Sequence, residues 1–404
     1  MISVKAATEI IMNRVVVVEK EESHLLASVG RVLAEPVTAR FSLPLFDNSA
    51  MDGYAIRSAD TQSADLTHPV HLSLIGTLAA GDASHRIFLN SNEAIRIMTG
   101  APIPKGADAV VALEEVRFRD DSVEVLGPVP IGRHLRVCGE DIQTGTVVLK
   151  EGHRIRTQDI PILAALGVEK VVLFRPLRAA ILATGSELIP LGSPQEPNKI
   201  YNSNTPTLIT FLHSLGAQIT DLGIAIDQED SIKEKIQQAS NVDLFLLSGG
   251  ASVGEYDLVR KVLEELGAQL QFHRVKVKPG KPLLFGYLGK IPFFGLPGNP
   301  ISCVVCFLAF IAPFIRRCQG ELLSGIETLQ ARLSGRLHKR DQRQLWVTAV
   351  LAPGPQGTWV VTPTPKQGSA MLWSLAQANS FVIIPEEVAV IEEGEWVQVV
   401  RIPQ

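Results

Sequence analysis

The spacing of apolar residues changes character along the chain, and each change marks a different kind of element. Residues 6–18 carry apolar side chains at helical spacing, and a second helix-like stretch covers 25–33 before Pro36 ends it. From 69 to about 137 the pattern shortens to alternating runs at 70–75, 94–97, 109–113 and 123–126, with turn residues between them. That alternation predicts the strands of a small β domain. Residues 155–166 return to helical spacing, so the β region reads as an insertion between helical segments.

From Arg178 the rhythm becomes strand, loop, helix: strands at 179–183, 218–225 and 242–247, helices at 206–215, 231–239 and 255–266. Alternation at this spacing predicts a parallel sheet with helices on both faces. The apolar run 301–315 contains Pro313, ends in Arg316-Arg317 and is shorter than a membrane span, which predicts a buried helix. Beyond Gly320 short runs at 346–351, 359–362, 381–384 and 396–400, broken by prolines, predict a compact all-β carboxyl-terminal domain.

Open parallel sheets bind ligands beyond the carboxyl ends of their strands. At one such end the run 242–247 stops in Ser248-Gly249-Gly250, a turn that opens the next helix. The glycines let the backbone approach a ligand, and a helix start offers unpaired N–H groups to an anion. The turn matches neither the dinucleotide fingerprint nor the lysine-bearing phosphate loop, so a plain connection is the competing reading. Two further turns, Lys278-Pro279-Gly280-Lys281-Pro282 and Leu296-Pro297-Gly298-Asn299-Pro300, flank apolar runs and are expected at the same sheet edge. Proline stiffens the first, which suits Lys278 and Lys281 to holding oxyanions.

The carboxylates at these strand ends are open to two readings each. Glu187 is a metal or amine ligand, or an exposed loop acid. Asp227 and Asp230 have the spacing of a helix cap and its third residue, which explains both without a ligand. Asp257 falls in the first turn of its helix, where negative charge complements the dipole. Beside a phosphate cradle Asp257 would repel the ligand unless a cation sat between them, and magnesium is the natural mediator.

Composition narrows the class. At 404 residues the chain is expected to hold three or four domains, and 46% apolar with 20% charged residues fits a well-packed enzyme-like protein. A net charge of −4 argues against general nucleic-acid binding, and no run predicts a signal peptide or membrane anchor, so a cytoplasmic protein is expected. Cys303 and Cys306 form a C-x-x-C spacing inside the apolar 301–315 run with no second pair, which reads as core packing.

Taken with Asp47-Asn48-Ser49-Ala50-Met51-Asp52-Gly53-Tyr54-Ala55 and Met98-Thr99-Gly100-Ala101-Pro102-Ile103-Pro104-Lys105-Gly106-Ala107-Asp108, the three turns strongly resemble the MoeA/gephyrin family of molybdopterin molybdenumtransferases. The resemblance spans nearly the whole chain. It implies a multidomain α/β and β fold: an extended linking and dimerisation domain of 1–47 with 140–177, and an inserted β domain of 48–139. A doubly wound, MogA-like α/β domain at 178–325 and a β-barrel-like domain at 326–404 complete it. It implies a homodimer that uses magnesium and molybdate to cleave adenylylated molybdopterin, insert molybdenum and release AMP. Substrate would come from a molybdopterin adenylyltransferase, and product would pass to molybdoenzymes. A carrier or receptor scaffold is the alternative within the family.

The same resemblance implies that Asp52 and Thr99 act from the second subunit, and that Glu187, Asp257 and Lys278 act at the reaction centre. It also implies that Asp141, Ser248, Gly249, Gly250, Lys281, Pro282 and Ser369 bind substrate, and that Asp227 and Asp257 hold the metal. One position departs from the family pattern. Where an arginine is often found on the strand before the loop of Ser369, this chain has Thr348, with Arg343 or Arg340 nearby as substitutes.

Overall fold

A computed structural model describes residues 1–82, 87–239, 241–249, 256–322 and 325–403, without the side chains of Tyr256, Asp257 and Gln356. The chain forms two compact units. One comprises 1–35, 151–160 and 169–404; the other comprises 36–150 and 161–168.

The smaller unit is built on a six-stranded sheet. Its order is Ala109–Ala112, Gly53–Ile56, Glu93–Ile97, Val70–Leu78, Ser122–Val125 and Val116–Arg119. The alternating runs read from sequence are strands of this sheet, joined by Gly53–Ile56 and Val116–Arg119, which the pattern did not reveal. Gly53 is required where it stands, because a Cβ there would lie 2.1 Å from the carbonyl oxygen of Val111 on the neighbouring strand.

In the larger unit the strand–helix rhythm produces a six-stranded sheet. Its order is Gln218–Ala225, Arg178–Thr184, Leu244–Ser248, Ile291–Leu296, Leu284–Leu288 and Ala268–His273. The first four strands run parallel, as the alternation predicts. Leu284–Leu288 runs antiparallel to both its neighbours, so Ala268–His273 beyond it again runs with the first four. The cause is local: Leu288 pairs with Ile291 across Gly289-Lys290, and Gly289 at φ 60° closes a hairpin instead of a helical crossover.

The 301–315 run is buried, as expected, within one continuous helix, Pro300–Cys318. It is the one helix among the described residues long and apolar enough to cross a membrane, and here it is the spine of a core. Pro313 has no N–H to give the preceding turn. The helix widens to π geometry over Phe307–Ile311, where the Ala312 N–H reaches the Phe307 carbonyl. Cys303 and Cys306 are buried in this core, and burial pushes the Cys303 thiol up to about 12, which suits packing and not thiolate chemistry.

The carboxyl-terminal strands close on themselves. Gln344–Pro353 pairs Trp359–Pro363, and the ladder continues through Leu329–Leu333, Trp396–Arg401 and Ser380–Ile384 back to Gln344–Pro353. The result is the barrel-like end expected from the proline-broken pattern.

Two helix expectations change. The first helix ends at Met12, capped at its start by the Ser3 side chain accepting from Ala6 N–H. Residues 25–33 hold only a short turn, Leu25–Ala27. Gly30 at φ 81° interrupts any helix, and Val32 and Leu33 instead bridge to Arg154 and Leu173. Tertiary pairing wins over helical periodicity there.

Candidate functional site

Register along the parallel strands aligns their carboxyl ends. Ala183 pairs Ser248, and Ser248 pairs Leu296, so Thr184, Gly249 and Pro297 emerge side by side. Gly249 sits at φ 100°, and a Cβ on it would stand 2.1 Å from the Thr184 carbonyl oxygen. Only glycine allows the two loops to touch. On its other side the Gly249 Cα lies 3.8 Å from the Cβ position of Gly298. The Gly298 carbonyl in turn accepts a 2.8 Å hydrogen bond from Asn204 Nδ2, at the start of helix Asn204–Ser214.

These strand ends open into a cavity of about 1100 Å³. Its size suits a ligand larger than a simple ion. Of the residues read from sequence, Glu187, Ser248, Gly249, Lys281 and Pro282 line it, and the three glycine- and proline-set turns do converge on one sheet edge. The lining also holds Thr184, which opens the strand-end loop of Glu187, together with Asn204, Arg260, His273 and Arg274, which the sequence reading passed over. A signal for Arg274 was present, because it shortly precedes the stiff turn that carries Lys281. Asn204 had no comparable signal.

The rim is cationic. Among the described residues, the Arg274 and Lys281 side chains make no hydrogen bond or ion pair, while Arg260 reaches Glu264 at 2.8 Å. Burial, then the neighbouring Arg274 and Arg260 charges, push the His273 imidazole below its ordinary value, so it is neutral at neutral pH. Two unshared cations and a neutral imidazole favour an anionic group at this rim. Glu187 lies at the opposite chemical pole, with its carboxylate over Gly185, where a Cβ would stand 2.6 Å from Oε2.

Other residues of interest lie elsewhere. Asp227 does not cap the following helix, whose cap position is Gln228. Its Oδ2 accepts a 2.7 Å bond from the Ser186 N–H, and the Ser186 hydroxyl accepts from Asp227 N–H at 3.0 Å. Asp227 thus ties two strand-end loops together, and Asp230 sits with Glu229 in the helix's first turn. Lys278 turns to Asp341, its ammonium 3.1 Å from Oδ2. Ser369 uses its carbonyl to accept from Ile301 N–H at 3.1 Å. Gly250 and the side chain of Asp257 lie outside the described residues.

Around Thr348 the polar groups are fully engaged. Its hydroxyl meets Thr364 Oγ1 at 2.6 Å and donates to Gln367 Oε1 at 3.0 Å, and Gln367 Nε2 donates back to its carbonyl at 3.0 Å. Arg343, the candidate substitute for an arginine here, is held bidentately by Asp341 at 2.8 and 3.2 Å. Arg340 is exposed. The bonds from Arg343, opposed only in part by burial, hold the Asp341 carboxyl well below the usual carboxylate range.

In the smaller unit Asp52 Oδ1 accepts from both the Thr99 N–H and its hydroxyl, each at 2.7 Å. These two bonds hold the exposed Asp52 carboxyl below its usual range, so it stays ionised. Asp141 is exposed, anchored by its N–H to the Leu43 carbonyl at 3.1 Å.

Comparison with known proteins agrees with these features. Residues 2–167 match the MoeA N-terminal region (domain I and II), 180–317 a probable molybdopterin binding domain, and 330–402 the MoeA C-terminal region (domain IV). The molybdopterin molybdenumtransferase of Haemophilus influenzae is 35% identical over 391 residues, covering 94% of this chain and 93% of its own. That of Nostoc is 34% identical over 413 residues, covering 99% and 94%. The crystal structure of a molybdopterin biosynthesis MoeA protein from Pyrococcus horikoshii superposes with a TM-score of 0.85 at 31% identity, covering 100% of both chains.

Proposed function

From the premise that this chain belongs to the MoeA family, and is a molybdopterin molybdenumtransferase of molybdenum cofactor biosynthesis, we propose that it inserts molybdenum from molybdate into adenylylated molybdopterin. The carrying observation is the cavity at the parallel strand ends, with its glycine-set floor and its unshared Arg274 and Lys281 cations. An oxygen nucleophile, from water or molybdate, attacks the adenylyl phosphorus; the pyrophosphate bond breaks and molybdopterin phosphate is the leaving group, while the adenylyl group is released as AMP, directly when water attacks or by hydrolysis of the adenylyl-molybdate anhydride when molybdate does. Such a step needs its phosphate charge neutralised and its nucleophile oriented, which is electrostatic work.

Lys281 neutralises an oxyanion, Lys278 joins it only on exchanging Asp341 for the substrate, and the Ser248-Gly249-Gly250 turn cradles a phosphate. Pro282, Ser369 and Asp141 contribute to substrate binding. Magnesium would be held by Asp257 with Asp227 or Glu187. Asp227 fits that role because its Oδ1 carries no hydrogen bond from the described residues, while Oδ2 is fixed by the Ser186 N–H. Bound magnesium would neutralise phosphate charge; these carboxylates orient it. Asp52 and Thr99 act from a second copy in a homodimer, Asp52 ionised by its Thr99 bonds. Substrate arrives from a molybdopterin adenylyltransferase, and product leaves for molybdoenzymes, in the cytoplasm.

The test is AMP release from adenylylated molybdopterin, with and without magnesium and molybdate, coupled to reconstitution of a molybdenum-free apoenzyme. Release dependent on both ions, with reconstitution, is expected. A folded protein that binds substrate and never releases AMP would leave a carrier or scaffold role and overturn the reading.

A further inference from the structure

Two buried polar atoms of cavity-lining residues have no partner among the described residues. Thr184 is fully buried at the end of strand Arg178–Thr184, and its Oγ1 makes no hydrogen bond. Asn204 is 8% exposed, and its Oδ1 is likewise unpaired. Both line the cavity. The Asn204 amide is not free to turn, because Nδ2 donates to the Gly298 carbonyl at 2.8 Å. Oδ1 is therefore presented as a fixed acceptor. The two are linked through close backbone contacts: Thr184 touches Gly249, Gly249 lies against Gly298, and Gly298 holds Asn204.

An unpaired buried hydroxyl costs about 1–3 kcal/mol, and valine would have the same shape without that cost. A lone orphan in a core is a local defect. Two orphans, both buried and both on residues that line one cavity, are a recognition pattern that a ligand completes. A fixed acceptor beside a hydroxyl that accepts or donates calls for a ligand edge bearing N–H groups. The cationic rim that includes Arg274 and Lys281 calls for an anion on the same molecule. A pterin phosphate combines the two, since its aminopyrimidine edge carries the 2-amino group beside a ring N–H.

We propose that Asn204 and Thr184 are the specificity-determining contacts for the 2-amino edge of the pterin, with Asn204 Oδ1 accepting from the amino group and the Thr184 hydroxyl completing the pair. This rests on the assignment of the cavity to a molybdopterin substrate and adds which atoms read its ring. Glycine at 249 is what lets Thr184 and the loop of Gly298 come together as one floor.

The test uses free pterin and lumazine, in which an oxo group replaces the 2-amino group, titrated by ligand fluorescence against the full chain. Wild type is expected to prefer pterin by on the order of tenfold or more, the value of one buried hydrogen bond that the analogue cannot make. Asn204→Leu should lose that preference, and Thr184→Val should weaken pterin binding about tenfold with its melting temperature kept or raised. If the leucine variant does not fold, Asn204→Asp serves. It keeps an acceptor but loses the Nδ2 tether, and should bind pterin more weakly than wild type. Equal binding of pterin and lumazine by wild type overturns the proposal, as does no binding of either, or wild-type pterin affinity in Thr184→Val. Molybdate-dependent AMP release is measured in parallel. Its persistence alongside any of those results would sink the ring-reading contacts and spare the transferase reading, whereas its absence in wild type would sink the transferase reading itself.

Discussion

Thr184 and Thr348 are both buried threonines on strands of the same unit, and they sit in opposite chemical states. Thr348 is surrounded by Thr364 and Gln367, and its hydroxyl is engaged. Thr184, which lines the cavity, has a hydroxyl with no partner among the described residues. The lysines of one turn divide the same way: Lys278 is spent on Asp341, while Lys281 is unshared at the cavity rim. A saturated network holds shape, because each member would be costly to leave alone. An unsaturated one is kept at a cost in stability, and a ligand recovers it.

The largest effect expected from this contrast is at Lys281. Lys281→Met should lower AMP release by on the order of a hundredfold, with the far-ultraviolet spectrum and melting temperature unchanged, because no protein partner loses anything. A variant that melts early instead would place Lys281 among the structural groups. Thr348→Val comes next. It removes the hydroxyl's bonds to Thr364 Oγ1 and Gln367 Oε1, although Gln367 Oε1 keeps the Thr348 N–H and Thr364 Oγ1 keeps the Thr348 carbonyl, and should cost about 1 kcal/mol in urea titration while pterin affinity is unchanged.

Asp341 gives a smaller, pH-dependent effect. Its carboxyl is depressed by Arg343, and Asp159 is depressed as well, where bonds from Arg156 and His153 outweigh the raising effect of burial. A depressed acid contributes stability above its unfolded value, near pH 4, and that contribution is lost as pH falls from there towards the folded value. Asp341→Asn should therefore flatten part of the acid limb of the stability curve below about pH 4. At neutral pH it should cost about 1 kcal/mol or less, because the group is partly exposed and screened. An unchanged acid limb would show that the Lys278–Asp341–Arg343 cluster does not couple to folding.

What could be read from the chain follows the same division. Periodicity revealed the strand–helix alternation of the larger unit, and glycine and proline marked the three turns that meet at the cavity, because both signals are local. The roles of Thr184 and Asn204 were invisible because their significance lies in what is missing around them. That depends on the register of Arg178–Thr184 against Leu244–Ser248 and on the approach of Gly298. The cap reading of Asp227 fails for a related reason: three residues of sequence suggested Asp230, whereas its partner Ser186 is 41 residues away. The 25–33 stretch has helical spacing but spends its apolar residues on pairing with residues 153–155 and 172–174. Arg343 was a reasonable stand-in by position, and only the structure reveals the acid two residues before it that occupies its guanidinium.

The change that removes a single oxygen atom is the most informative. Thr184→Val and Thr348→Val remove the same atom from two equally buried sites, so melting temperature and pterin affinity measured on both variants test the account directly. The account predicts that Thr184→Val melts at or above the wild-type temperature and binds pterin about tenfold more weakly, while Thr348→Val melts several degrees lower and binds pterin like wild type. Equal destabilisation of the two variants, with pterin affinity intact in both, would contradict it.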